Sequence, residues 1–163
     1  MVFMESELSG ILEKRRAQAE VIKPIYRVLV DRLGKEEAQS IIEASIRSAA
    51  IEEGKRFAAM ESGRPDLVRF AALQPLWLKS DALQVLPLRQ TETEFAFDVT
   101  RCKYAEMYVE MGLEEIGHLL SCNRDGTFCK GYNPQIRLTR TQTIMQGASH
   151  CDFRYELDPT PAS

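Results

Sequence analysis

Apolar positions recur every three or four residues in the first half of this chain and every second residue in parts of the second half. That change of period predicts a helical layer followed by a sheet. Between Glu7 and Val21, the apolar residues Leu8, Ile11, Leu12 and Ala19 keep helical spacing. Pro24 is expected to break or restart that helix, because proline fits a first turn but not an interior. Ile25 to Leu33 gives a short amphipathic segment with Gly34 as its stop. From Lys35 to about Met60 the stripe Ala38, Ile41, Ile42, Ser45, Ile46, Ala49 and Ala50 predicts the longest helix, closed by Gly63 and Pro65. Asp66 can cap a further helix through Leu73, which Pro75 ends or kinks. Core burial alone accounts for these stripes, so the helices read as scaffold.

The strand signals come next. Leu83–Leu88 and Glu94–Thr100 read as two strands joined by Gln90–Thr93, and Phe95, Phe97 and Val99 alternate with Glu94, Ala96 and Asp98. Helices are expected over Arg101–Met111 and Glu114–Ser121, and a loop over Asn123–Pro134. Two more strands follow, Ile136–Met145 and Cys151–Leu157, with a turn at Gln146–Ser149. Asp158–Ser163 reads as a frayed tail. The expected fold is α+β: a helical N-terminal half, about residues 5–78, packed on an antiparallel sheet of about four strands interrupted by a helix pair. The sheet and candidate-site region run from about 82 to 157, and the 163 residues read as a single domain.

Composition narrows the function. Hydrophobic residues make up 44% and charged residues 28%, as in a soluble globular protein. A net charge of -3, with acidic and basic residues interspersed as in Glu13-Lys14-Arg15-Arg16, argues against a nucleic-acid partner. No run of about 18 apolar residues exists, so no membrane-spanning helix is expected. Met1–Glu7 lacks the basic start and apolar core of a signal peptide, which makes a cytoplasmic location the expectation. In that compartment the four cysteines read as free thiols.

All four cysteines and both histidines lie between Arg101 and Arg154. Cys102 follows a strand at the start of a helix, with Thr100 as a plausible N-cap. There the helix dipole, Arg101 and Lys103 would lower the thiol pKa, which makes Cys102 a nucleophile candidate against the plain alternative of a small buried side chain. Cys122 ends a helix and is followed by Asn123, Arg124 and Asp125, of which Asn123 and Asp125 also suit a structural turn. Cys151 alternates with Phe153, Tyr155 and Leu157 on one strand face, while His150, Asp152, Arg154 and Glu156 take the other. A Cys151–His150 pair therefore requires His150 to remain in the turn, whereas Asp152 could orient His150 as a base. Arg140 shares a strand face with Leu138, Gln142 and Ile144, and should meet either Asp152 or an anionic substrate. Thr139, Thr141 and Thr143 face the other way. The cysteine spacings contain no C-x2-C or C-x4-C knuckle, which argues against structural zinc. His118 reads as a partly exposed helix residue.

Five blocks in order resemble the L-2-amino-thiazoline-4-carboxylic acid hydrolase family. They are Asp98-Val99-Thr100-Arg101-Cys102-Lys103-Tyr104-Ala105-Glu106-Met107-Tyr108, Leu119-Leu120-Ser121-Cys122-Asn123-Arg124-Asp125, Gly131-Tyr132-Asn133-Pro134, Leu138-Thr139-Arg140-Thr141-Gln142-Thr143-Ile144-Met145, and Gly147-Ala148-Ser149-His150-Cys151-Asp152-Phe153-Arg154-Tyr155. The resemblance covers roughly residues 95–157. It implies hydrolytic opening of a small sulfur-containing ring, 2-amino-thiazoline-4-carboxylate, to N-carbamoyl-cysteine, with no cofactor and no metal. Cys129 carries no role.

For that chemistry the catalytic candidates are Cys102, Cys122, Asp125, His150, Cys151 and Asp152. The binding candidates are Arg101, Asn123, Arg140, Thr141 and Arg154. Arg140 or Arg101 could hold the substrate carboxylate. Attack could come from a thiolate, with Cys102 or Cys122 favoured, or from water activated by Asp125 or by His150 with Asp152. The partner expected is a small anionic molecule, with homo-oligomerisation left open. The competing class is a non-catalytic binding or sensor module that uses the same pocket without a reactive thiol.

Overall fold

The computed structural model describes residues 10–159. The expected helix start at Glu7, the reading of Met1–Glu7 as no signal peptide, and the last four residues of the expected tail lie outside the described residues. The first helix, α1 (Ile11–Leu33), runs unbroken through Pro24. This corrects the expected break. Ile11, Arg15, Ala19 and Tyr26 form one buried stripe across the proline, and Pro24 and Glu20 are both exposed. Water can therefore reach the Glu20 carbonyl that loses its helical partner, and packing of the stripe outweighs the lost bond. Gly34 ends α1 at φ 85°, the left-handed region that glycine adopts freely.

The second helix, α2 (Lys35–Met60), follows at once. Then come two short helices, α3 (Leu67–Ala72) and α4 (Gln74–Leu78). Asp66 caps α3 as expected, accepting from the Arg69 amide at 2.8 Å. A 3-10 turn (Lys79–Asp81) leads into β1 (Leu83–Gln90) and β2 (Glu94–Cys102). Helices α5 (Lys103–Glu110), α6 (Gly117–Leu120) and α7 (Cys122–Tyr132) come next, then β3 (Ile136–Thr139), a second 3-10 turn (Ile144–Gln146) and β4 (Cys151–Leu157). The four strands form one antiparallel sheet in the order β1-β2-β4-β3. The fold is α+β, with a helical half packed on the sheet.

Two further expectations change. Of the expected loop, residues 123–132 are helical. Their buried residues, Arg124, Thr127, Phe128 and Tyr132, keep helical spacing. Gly131 is needed there for contact, not for a turn. A Cβ on Gly131 would collide with the Ile51 carbonyl of α2, and one on Gly54 with the Phe128 carbonyl of α7. The two helices thus touch backbone to backbone, which brings Glu53 beside Arg124. The expected strand from Ile136 to Met145 stops at Thr139. The Asp152 carboxylate accepts from the backbone amides of Thr141 and Gln142, at 2.9 and 3.0 Å, in place of a strand ladder. The shared face of Arg140 and Leu138 lapses with it.

Register builds the inner wall. Phe95 pairs with Tyr155, Phe97 with Phe153 and Val99 with Cys151 across β2 and β4. These side chains pack with Phe57, Leu67, Phe128 and Tyr132 from α2, α3 and α7. A second core joins α1, α2, α5 and α6 through Ile11, Ile42, Tyr108 and Leu120. Leu76, Trp77, Leu83 and Cys102 pack against both clusters.

Candidate functional site

Where the two cores meet, the packing leaves two adjoining cavities of about 80 Å³ and about 60 Å³ between the helices and the inner face of the sheet. They share Arg15, Trp77, Leu83, Arg124, Asp125 and Phe153, so they form two lobes of one space. Each is several times the roughly 10–15 Å³ that a single water needs. The larger lobe is walled by Phe70, Trp77, Phe95, Phe97, Phe128 and Tyr155. The smaller is lined by Cys102, Cys122 and Cys151 together with Val99 and Met145.

The polar part of the space comes from helices. Arg15 on α1, Glu53 on α2 and Arg124 on α7 are 3%, 2% and 6% exposed. Both guanidiniums reach the same Glu53 oxygen, Oε2, each at 3.4 Å. Lys14 adds a contact to Oε1 at 3.4 Å, and Gln18 accepts from Arg15 and Arg124. Burial alone would raise the Glu53 pKa, but Arg15, Lys14 and Arg124 together hold it below the ordinary carboxylate value. Burial and the neighbouring Arg15 charge push Arg124 down to about 10. Two buried cations around one buried anion leave an excess of positive charge that an anionic ligand would neutralise.

Asp125 lies at the junction of the lobes. Its Oδ2 accepts from Arg140 Nη1 at 2.6 Å, and Arg140 also donates to the Cys122 carbonyl at 2.9 Å and lies 4.8 Å over the Phe153 ring. The carboxylate partner expected for Arg140 is thus Asp125, not Asp152. Burial raises the Asp125 pKa against the opposing charge of Arg140. A carboxylate displaced upward is better matched to taking a proton near neutrality than an ordinary one.

The thiols are not activated. Cys102 itself serves as the N-cap of α5, its sulfur accepting from the Ala105 amide at 3.4 Å, yet burial pushes its pKa up to about 11. That reverses the expected lowering. Arg101 pairs with Glu106 on the surface, and Lys103 turns to Asp81 and the Ser80 carbonyl, so neither cation serves the sulfur. Burial also raises Cys122 and Cys151, and Cys129, outside both lobes, to about 12.

Of the residues singled out from sequence, the structure brings Cys102, Cys122, Asp125 and Cys151 to the cavity, with Arg140 behind Asp125. The others stand apart from its lining. His150 contacts Gln142 Nε2 at 3.2 Å and Ser149 Oγ at 3.0 Å, both through Nδ1. Asp152 turns to Thr141 and Gln142 rather than to His150, and the Thr141 hydroxyl donates to it at 2.6 Å. Arg154 binds Asp98 and the Phe97 carbonyl, and Asn123 accepts from Arg47. The chemistry-bearing blocks of the sequence do not include Arg15 or Glu53, and they assign Arg124 no role. A signal existed: Arg15 falls between Ile11 and Ala19, and Glu53 between Ala50 and Phe57, on the buried stripes themselves. Among the described residues no group of three or more His, Cys, Asp or Glu side chains is arranged to hold a metal, and no helix is long and apolar enough to cross a membrane.

The family model for L-2-amino-thiazoline-4-carboxylic acid hydrolase matches residues 14–155. The chain belongs to that family. The matched span takes in every cavity-lining residue except Ile11, so the resemblance on the C-terminal blocks extends over the helices that carry Arg15 and Glu53. A comparison with curated proteins finds no match. Among solved structures, this member of the hydrolase family is similar to the crystal structure of the phenol-responsive sensory domain of the transcription activator PoxR with phenol. The TM-score is 0.50 and the identity 15%, covering 84% of this chain and 73% of that one. A likeness at that identity concerns the fold.

Proposed function

We propose that the protein adds water to the amidine carbon of a small cyclic amidine carboxylate, such as 2-amino-thiazoline-4-carboxylate, inside the two-lobed cavity. The observation that carries this reading is Asp125, a half-buried carboxylate of raised pKa at the junction of a lobe holding two buried guanidiniums and a lobe lined by thiols. Arg15 and Arg124 bind the substrate carboxylate and the aromatic wall receives the ring. Asp125 takes a proton from water as its oxygen bonds to the amidine carbon. That proton passes to the ring nitrogen; the carbon–sulfur bond then breaks as the new hydroxyl becomes the carbonyl and its proton goes to the departing sulfur, which yields N-carbamoyl-cysteine. Water is favoured over a thiolate as nucleophile because burial keeps Cys102, Cys122 and Cys151 protonated. The thiols then provide a soft, polarisable surface for the ring sulfur.

The test is incubation with L-2-amino-thiazoline-4-carboxylate, following ring loss and N-carbamoyl-cysteine by mass spectrometry. Turnover that falls on the order of a hundredfold in Asp125→Asn and persists in Cys122→Ser supports the water route. Turnover that vanishes in Cys122→Ser with ligand affinity kept would support a thiolate instead.

A second reading has its own support: a binding module that senses a small ring without converting it. The protonated thiols favour it, as does the likeness to a sensory domain whose structure holds phenol. A ligand that raises the thermal midpoint without being consumed would select this reading.

A further inference from the structure

Gln74 begins α4 and lines the larger lobe among Phe70, Leu73, Trp77 and Phe95. Its Nε2 is buried, and no group among the described residues accepts from it. A donor left without an acceptor destabilises the empty protein, and an apolar side chain would suit this aromatic wall better. A ligand in the lobe that supplies the acceptor would account for a glutamine at this place in the wall. The same lobe carries the excess cation of Arg15 and Arg124 over Glu53. A ligand that satisfies both features has a carboxylate, a flat ring to lie against Phe95 and Trp77, and a further hydrogen-bond acceptor on that ring.

We propose that Gln74 is the specificity-determining residue of the cavity, selecting planar ring carboxylates that bear a ring nitrogen or carbonyl acceptor over those that lack one. The inference deepens the reading of this cavity as a site for a ring carboxylate, but it does not require that the ring be opened.

Benzoate, nicotinate and isonicotinate separate the requirements. All three are flat ring carboxylates, and only the pyridine acids offer a ring acceptor, at two different positions. By calorimetry the wild type should bind at least one pyridine acid about fivefold to tenfold more tightly than benzoate, the range of a single hydrogen bond. Gln74→Met, nearly isosteric, should abolish that preference by weakening the pyridine acid and leaving benzoate unchanged. Without ligand, the same variant and Gln74→Leu should unfold at a temperature a few degrees above the wild type, since each removes the orphaned donor. A purely structural Gln74 predicts the reverse: a lower midpoint and equal losses for every probe. Equal affinity of the wild type for the three acids, no binding of any, or a preference that survives Gln74→Met overturns the proposal. Failure of the thiazoline to turn over overturns only the hydrolase reading, because the preference among acids is measured without it.

Discussion

The cavity floor of Arg15, Glu53 and Arg124 and the strip of Thr141, His150, Asp152 and Arg154 contain the same kinds of side chain under opposite constraints. In the floor, three ions are almost withdrawn from water and each depends on another: Glu53 stays ionised because three cations face it. In the strip, the side chains remain near solvent and serve the backbone. Asp152 holds the chain where β3 has ended, and Arg154 ties Asp98 to the Phe97 carbonyl. The strip is the denser in residues associated with catalysis, yet its interactions are spent on shape. A buried charge is the more informative sign, because burying it is costly unless something else demands it there.

The sharpest way to break this contrast is Glu53→Ala. It leaves two buried guanidiniums with no shared carboxylate and should cost about 3–5 kcal/mol in urea unfolding. A cost near that of a surface ion pair would mean the floor is wet and the contrast false. The pH dependence has a definite sign. The Glu53 pKa is lowered in the folded state, so its contribution is present above the ordinary carboxylate value and is lost as pH falls through the folded one. Wild-type stability should therefore drop in acid more steeply than that of Glu53→Gln.

Asp125→Asn comes next, with a fall in turnover on the order of a hundredfold. The Asp125 pKa is raised, so the wild-type rate should climb with pH along a limb displaced above the usual carboxylate range. The variant should lack that limb. Stability shifts the other way, declining as pH rises from the ordinary Asp value through the raised one. A wild-type limb at the pKa of an unperturbed carboxylate would remove Asp125 as the base. Asp152→Ala should be milder, about 1 kcal/mol, because its hydrogen bonds are partly solvated. Hydrogen exchange at Thr141 and Gln142 should quicken while turnover stays near wild type.

Most of the fold was legible because its signals are local. Gly34 stopped a helix, Asp66 capped one, and the alternation of Phe95, Phe97 and Val99 marked a strand and its inner face. The errors arose where a distant contact decided. Pro24 reads as a breaker and Gly131 falls in an expected loop, but one is tolerated where water reaches the freed carbonyl and the other is demanded by the approach of α2 to α7. The strand beyond Thr139 was lost to a carboxylate eleven residues away from Thr141. At the site, the thiols and Asp125 could be picked out by chemistry alone. Arg15 and Glu53 could not be assigned while their helices were treated as scaffold, although both stand where an apolar residue would continue the stripe.

The mildest change, His150→Ala, bears most directly on that lesson. An imidazole beside an aspartate in a dense polar block is the strongest local sign of a general base in this chain. In the structure its Nδ1 lies 3.0 Å from Ser149 Oγ, its other contacts are to Gln142, and Asp152 is committed elsewhere. It also stands outside the lining of both lobes. A half-buried residue outside the cores should change stability by no more than about 1 kcal/mol, and turnover of the thiazoline should remain within about twofold of wild type, too small a change to require a lost base. A loss on the order of a hundredfold, with the thermal midpoint unchanged, would move the chemistry out of the buried floor and into the strip. Asp125 would then be a structural partner of Arg140, and the raised pKa a consequence of burial without catalytic use.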